Sequence, residues 1–184
     1  EFRRVLFRSV RRTRRTPGDE MLRITLISAL STMAILVAVD SPAQGVVTQR
    51  ILSYEAAKVI AEATLAECAS KGFRTAAAVV DRAGNLLVLL RHEQASPATI
   101  EIARGKAYTA LIFRTSTLEF QQRTATDPAL APQRDVPGIL ALGGGVPIMS
   151  GEEIIGAVAS SGSNQTTDDA CARAGVAKAL ELLD

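Results

Sequence analysis

The stretch that decides the fold is ATIEIARGKAYTALIF, residues 98–113. Its apolar residues recur at intervals of three and four, which predicts a helix with one buried face. These residues are Ile100, Ala103, Ala107, Ala110 and Leu111. Ser96 is placed to cap this helix, and Pro97 suits its first position, where a missing N–H costs nothing. Lys106 lies beside the apolar face among small residues, and a cation on such a crowded, partly dry surface is suited to hold an anion.

Another helix is expected to precede this stretch, and two strands to lie between the two helices. Ser53 can cap a helix that runs to about Lys71, and Gly72 supplies its C-terminal stop. The strands lie at 75–81 and 85–91, and the short segment between them predicts a hairpin turn. Because both strands are continuously apolar, both faces of their sheet are expected to be covered.

The chain after residue 113 is expected to complete the same sheet. Thr115 can cap a short helix, and the proline-rich segment 127–137 predicts a surface loop. Short strands are expected at 139–142, 143–149 and 153–160, followed by a final helix. The order α-β-β-α-α-β-β-β-α therefore predicts an antiparallel sheet with helices packed on it.

The first 43 residues have the composition of processing sequence. Residues 21–43 fit an export signal peptide, with a basic start, an apolar run and small residues before cleavage after Ala43. The run is shorter than the roughly 20 residues of a spanning helix, so no retained membrane span is expected. The arginine-rich residues 1–20 favour sequence translated from upstream of the natural start, the alternative being a twin-arginine export signal. We therefore expect one exported domain, 44–184, in the periplasm or secreted.

The charge balance argues against a nucleic-acid partner. Residues 1–43 hold 8 of the 21 basic and 4 of the 19 acidic residues, which leaves 13 basic and 15 acidic residues and a net charge of −2. The predicted domain has no basic stripe interleaved with aromatic residues, so nucleic-acid binding is not expected. Two cysteines, Cys68 and Cys171, fall in predicted helices. A disulfide requires those helices to pack side by side, and two buried thiols are the expected state.

Four pieces of sequence, in this order, resemble the GlcG/HbpS-like family, which also occurs as the C-terminal domain of PduO-type corrinoid adenosyltransferases. The pieces are AAAVVDRAGNLLVLLR at 76–91, A-x-x-K-A-x-T-A at 103–110, a Gly-Gly-x-Pro-Ile run at 144–148, and IIGAVASSGSNQTTDDACARAG at 154–175. The resemblance covers about residues 53–183. It implies an α/β (α+β) profilin-like sandwich with a central five-stranded antiparallel sheet, and assembly into dimers or higher oligomers. It also implies binding of haem or a corrinoid, as in several members, some of which are described as haem-degrading.

The sequence departs from the family pattern after the second strand. Where the family often reads Arg-Met-Asp-Gly-Ala, this chain has RHEQA at 91–95, which contains its only histidine, His92. A neutral imidazole suits haem iron as an axial ligand and can also carry a proton, whereas a lone histidine in a polar loop is commonly just solvated. Met149, Tyr54 and Tyr108 are weaker candidates for the same iron.

The remaining candidate site residues are suited to anions. Lys106 can pair with a haem propionate or a substrate carboxylate, or extend its ammonium into water. Thr109 can donate its hydroxyl to the same anion, or bond back to its own helix. Gly143, Gly144 and Gly145 can present bare backbone N–H groups to an anion, or simply form a tight turn.

These observations lead to one preferred function and two alternatives. The preferred function is an exported haem- or tetrapyrrole-binding protein with weak haem-degrading activity, whose pocket is lined by 91–109 and the glycine run. The first alternative is an enzyme or binding protein for a small carboxylic acid, in which Lys106 and the glycine amides hold the carboxylate and His92 or Asp81 moves a proton. The second is an oligomeric accessory protein without a ligand. The sequence has no catalytic-triad order, zinc spacing or phosphate loop, so no enzyme class and no cofactor other than haem are assigned.

Overall fold

The computed structural model describes residues 45–183, and the predictions for residues 1–20 and 21–43 lie outside that range. All its helices and strands fall within the unit Thr48–Asp184. In chain order they are α1 (Tyr54–Ser70), β1 (Ala76–Asp81), β2 (Leu86–Arg91), α2 (Ala98–Phe113), α3 (Thr117–Thr126), a 3₁₀ helix (Ala131–Asp135), β3 (Gly145–Ser150), β4 (Glu153–Ser161), α4 (Gln165–Lys178) and a second 3₁₀ helix (Leu180–Leu182). None of the helices in this described part has the length and apolar character that crossing a membrane requires.

The sheet has four strands in the order β2-β1-β4-β3, and every neighbouring pair is antiparallel. The antiparallel sheet is confirmed, but a fifth strand is not found within residues 45–183. The segment 139–142, expected as a strand, is irregular instead. Its backbone N–H groups are used locally, because Leu140 N donates to Thr109 Oγ1 at 2.8 Å and Leu142 N donates to the Leu140 carbonyl at 2.9 Å. A segment whose amides are bonded to a helix and to itself cannot pair with a strand edge.

Helices cover both faces of the sheet at β1, as its continuously apolar sequence predicted, whereas the edge strand β2 is only partly covered, with Leu86 42% exposed. On β1, Ala77 and Val79 pack with the residues of α1 and α4, whereas Ala76, Ala78 and Val80 face α2. This alternation follows from the two-residue period of a strand. The fold is therefore a three-layer α+β sandwich with α1 and α4 on one face and α2 on the other.

The helix starts were predicted correctly for α1 and one residue early for α2 and α3. Ser53 caps α1 by accepting a hydrogen bond from Ala56 N at 3.2 Å. Helix α2 has no side-chain cap and begins after Pro97 rather than Ser96. Helix α3 is capped by Ser116, because the hydroxyl of Thr115 donates instead to Glu119 Oε2 at 2.6 Å. This bond is the main reason why the pKa of Glu119 lies below its ordinary value.

Cys68 and Cys171 form a disulfide, so the expectation of two free thiols was wrong. Their Cα atoms are 5.5 Å apart because α1 and α4 pack side by side at matching height. Gly175 makes this approach possible, since a Cβ at that position would collide with Thr64 and with the Ile60 carbonyl of α1. The bond joins the first and last helices of the domain.

Candidate functional site

Lys106 is buried and paired within the chain. Its side chain is 3% exposed, and Nζ lies 2.9 Å from Asp168 Oδ2 and 3.1 Å from the Ser160 carbonyl oxygen. The carboxylate of Asp168 thus stands where the sequence analysis placed a ligand's anion. Binding of a ligand by Lys106 stays a prediction, and it requires this ion pair to open.

Asp168 is held on its second oxygen by hydroxyl and amide donors. Its Oδ1 accepts from Ser163 Oγ at 2.7 Å, from Ser163 N at 3.2 Å and from Ser160 Oγ at 3.2 Å. Ser160 Oγ also lies 3.3 Å from Cys68 Sγ. A buried ion pair is tolerated only when such further bonds compensate the loss of water. Lys106 and Asp168 therefore lie at the centre of a satisfied polar cluster next to the disulfide.

The glycine run closes around this cluster and does not open onto a cavity. Gly143 N donates to Gln165 Oε1 at 2.6 Å, and Gly145 N donates to Thr117 Oγ1 at 2.8 Å. A Cβ on Gly144 or Gly145 would collide with Asp168 or with the Lys106 backbone. The structure thus brings Lys106 and the glycines together, but it commits the amides of Gly143 and Gly145 to partners within the chain.

Thr109 is fully buried and bonds in two directions. Its hydroxyl donates to the Gly105 carbonyl at 2.8 Å and accepts from Leu140 N at 2.8 Å. The first bond is the backbone contact that the sequence analysis considered as its alternative role. The second ties the loop at 137–140 onto α2.

His92 lies apart from these residues, in the loop after β2. Its ring is 28% exposed, and Nδ1 accepts from Gln94 N at 3.1 Å and lies 3.4 Å from Glu93 Oε2. Arg91 Nη1 orders the same loop by donating to the carbonyls of His92, Glu93 and Ala95. No group within residues 45–183 is hydrogen-bonded to His92 Nε2. This nitrogen is the open position of the ring.

A cavity of about 360 Å³ lies between this loop and α1. Its lining residues are Leu65, Ala66, Ala69, Phe73, Thr75, Arg91, His92 and Glu93. Thr75 is 1% exposed, and its hydroxyl has no hydrogen-bond partner in the described part of the chain. An unpaired buried hydroxyl costs about 1–3 kcal/mol, which is a reason to expect a partner that binds there. Sequence reasoning missed Thr75, because a threonine at the start of an apolar strand does not stand out as a site residue.

A larger cavity, of about 620 Å³, lies on the opposite face of the sheet. We call it the α2 cavity; its lining residues are Gly84, Glu101, Arg104, Gly105, Tyr108, Pro137, Gly138, Ile139 and Leu140. Neither cavity is lined by Lys106, Gly143, Gly144 or Gly145. His92 lines the smaller cavity only. Sequence reasoning also missed Arg104, although its spacing of four from Tyr108 places both on one face of a helix.

Residues 52–177 match the family described as "Haem degrading protein HbpS-like". The chain belongs to the HbpS-like family. This confirms the resemblance drawn from the four sequence pieces. Among curated proteins, the HbpS-like chain is 34% identical over 116 residues to protein GlcG of Escherichia coli, covering 60% of this chain and 81% of GlcG. It is 30% identical over 119 residues to an uncharacterized 15.0 kDa protein of Citrobacter freundii, covering 64% of this chain and 84% of that protein.

Solved structures agree with this assignment. The HbpS-like chain superposes on the crystal structure of HbpS with a TM-score of 0.68 at 34% identity, over 72% of this chain and 93% of HbpS. It also superposes on PduOC, solved as a complex with haem, with a TM-score of 0.63 at 22% identity, over 70% of this chain and 95% of PduOC. At that identity, the likeness to PduOC shows the fold alone.

Proposed function

We propose that this protein binds haem in the cavity beside His92. The family description names haem degradation, and a protein of the same fold was solved with haem. The observation that carries the proposal is local: His92, whose Nε2 has no partner in residues 45–183, and Thr75, whose buried hydroxyl is unpaired in the same residues, both line a cavity with an apolar wall. This donor set suits a flat apolar ring with a metal at its centre.

The wall on the α1 side is apolar. It is made by Leu65, Ala66, Ala69 and Phe73, three of them at helical spacing on the same face of α1. A volume of about 360 Å³ lies at the small end of the range for ligand sites, so the cavity would shield only part of a ligand as large as haem from water. When bound, haem supplies the oxygen chemistry of its iron, and such incomplete protection from solvent supports weak haem degradation as an accompanying activity.

His92 would hold the haem iron through Nε2, the ring nitrogen without a partner in residues 45–183. Nδ1 accepts from Gln94 N, so a neutral ring carries its proton on Nε2. For Nε2 to hold the iron, that proton would have to stand on Nδ1, and the Gln94 N–H would have to turn away. Glu93 Oε2, 3.4 Å from Nδ1, would then be the acceptor of the Nδ1 proton. A carboxylate in this position orients a ligating imidazole and raises its basicity.

The His92→Ala substitution is expected to weaken haem binding at least tenfold and to shift the Soret band, because it removes the proposed axial ligand. Thr75→Val, which keeps the shape but removes the hydroxyl, should change the spectrum of the bound haem with a smaller loss of affinity. The measurement is a haem titration of the purified protein followed in the Soret region. Met149→Leu is the matched control, since Met149 is exposed on β3 and outside the cavity.

Two results would contradict this proposal. The first is a spectrum of free haem at every ratio of haem to the unsubstituted protein. The second is saturable binding that His92→Ala and Met149→Leu leave equally unchanged. The first result raises the small-acid and accessory-protein alternatives above haem binding, whereas the second places bound haem away from His92.

We also propose that the protein is exported; assembly into a homo-oligomer, which the family resemblance implies, stays a prediction. The disulfide supports export, because such bonds persist in oxidising compartments and are rare in the cytosol. Mass spectrometry of the native protein tests the proposal. Export predicts a chain that begins after Ala43 with Cys68 and Cys171 bonded, whereas a chain retaining residues 21–43 with free thiols would exclude it.

A further inference from the structure

We propose that the α2 cavity is a second binding site, which takes a small organic carboxylate with an apolar body. This inference does not rest on haem binding, because the two cavities share no lining residue. At about 620 Å³ the α2 cavity lies well within the range of small-molecule sites. It combines one cation, one carboxylate, one phenol and an apolar wall.

The cavity is built around the ring of Tyr108. Gly84, in the β1–β2 turn, and Gly138 both have φ of +84°. A Cβ on Gly84 would stand 2.8 Å from Tyr108 Cε2, and one on Gly138 would stand 3.4 Å from Cε1. Each of these two turns therefore places a glycine against the ring, and the missing side chain leaves room for it. The ring is thus held as a fixed aromatic surface, and an aromatic face is a good platform for an apolar body.

Thr109 holds in place the loop at 137–140, which forms another wall of the cavity. Because its hydroxyl is bonded to Leu140 N on one side and to the Gly105 carbonyl on the other, the loop at 137–140 is tied to α2. Pro137, Ile139 and Leu140 supply apolar surface along this loop. Both walls are therefore in place before any ligand arrives, which reduces the entropic cost of binding.

Arg104 supplies the charge. Its side chain is 57% exposed, and its partner in the described residues is Glu101 Oε2 at 3.4 Å, on a side chain that is 75% exposed. An exposed pair of this kind contributes little. A ligand carboxylate can accept two parallel N–H bonds from the same guanidinium, a stronger and more specific arrangement. Tyr108, four residues further along α2, has no hydrogen bond from its hydroxyl within residues 45–183, and it is placed to donate to the same ligand.

Benzoate and hexanoate are suitable probes, and benzyl alcohol is the neutral control for the first. We expect calorimetric titration to show saturable binding of at least one carboxylate, and binding of benzyl alcohol at least tenfold weaker than that of benzoate. Arg104→Gln should weaken carboxylate binding at least tenfold, and Tyr108→Phe about threefold. Glu101→Gln should tighten it, because the competing carboxylate is removed.

Arg173→Gln is the matched control. Arg173 is 53% exposed and pairs with Asp169 four residues away, but it lies on α4 and outside the α2 cavity. Its replacement should leave carboxylate affinity unchanged, as should His92→Ala. Equal effects of Arg104→Gln and Arg173→Gln, equal binding of benzoate and benzyl alcohol, or no binding of either carboxylate would overturn the proposal. Displacement of benzoate by stoichiometric haem would also overturn it, because the site would not be separate.

Discussion

Replacing Lys106 by methionine is expected to lower the free energy of unfolding by about 3–5 kcal/mol. The substitution keeps the length and much of the volume of the side chain but removes its charge. The carboxylate of Asp168, 2% exposed, would then be buried without a counter-ion, and the Ser160 carbonyl would lose a donor. Urea denaturation of the two proteins measures the difference.

Two further variants locate the cause of this loss. Lys58→Met removes a lysine whose partner, Glu62, lies 4.0 Å away at the surface, and it should cost less than about 1 kcal/mol. The double variant Lys106→Met/Asp168→Asn removes both charges, keeps an oxygen that can accept from Ser160 and Ser163, and should recover part of the stability. If Lys106→Met lowers the free energy of unfolding by no more than Lys58→Met does, Lys106 and Asp168 do not form the buried ion pair that the geometry implies.

Lys106→Met should also leave haem affinity unchanged wherever the variant remains folded, because Lys106 does not line the cavity beside His92. This outcome separates the proposed haem site from the pocket at 91–109 and 143–145 that the sequence suggested. Parallel loss of haem affinity in the folded Lys106→Met protein would instead favour that earlier pocket.

Removing the disulfide by the double substitution Cys68→Ala/Cys171→Ala is expected to lower the free energy of unfolding by about 2–5 kcal/mol. The two cysteines are 103 residues apart in sequence, so the bond closes a large loop of the unfolded chain and restricts it strongly. Denaturant unfolding with and without dithiothreitol is the measurement. The unsubstituted protein should lose a similar amount of stability in reductant, whereas the double variant should not respond to it. Stability that is equal in all four conditions would show that the two sulfurs are not bonded.

Local patterns predicted most of the elements, because their causes lie within a few residues. Ser53 begins α1, the hairpin follows from a turn in which Asp81 Oδ1 accepts from Ala83 N and Asn85 N, and the apolar period of residues 98–113 places α2 on the sheet. The prediction of a strand at 139–142 was wrong because it also rested on a local pattern. Its composition suits a strand, but Thr109, far away in sequence, uses the amide that a strand would need.

The site depended on contacts that no local pattern contains. Lys106 was recognised as a special residue, but its partner Asp168 is 62 positions away in the sequence. The pairing of Cys68 with Cys171 follows from the height at which two helices pack, which spacing along the chain does not encode. Thr75 stands out only once its hydroxyl is found without a partner in the described residues. In each case the missing information was a tertiary neighbour.

The bond between α1 and α4 has a further consequence for how the protein resists proteases. It turns everything from Cys68 to Cys171, including the whole sheet, into a covalently closed ring. The exposed segment at 127–137, with its three prolines and a single short 3₁₀ helix, lies within this ring. A protease that cuts the backbone once in that segment opens the ring but separates nothing, and the two halves stay joined and packed against each other. Release of a fragment by cleavage within the ring therefore requires a second cut there or a reductant.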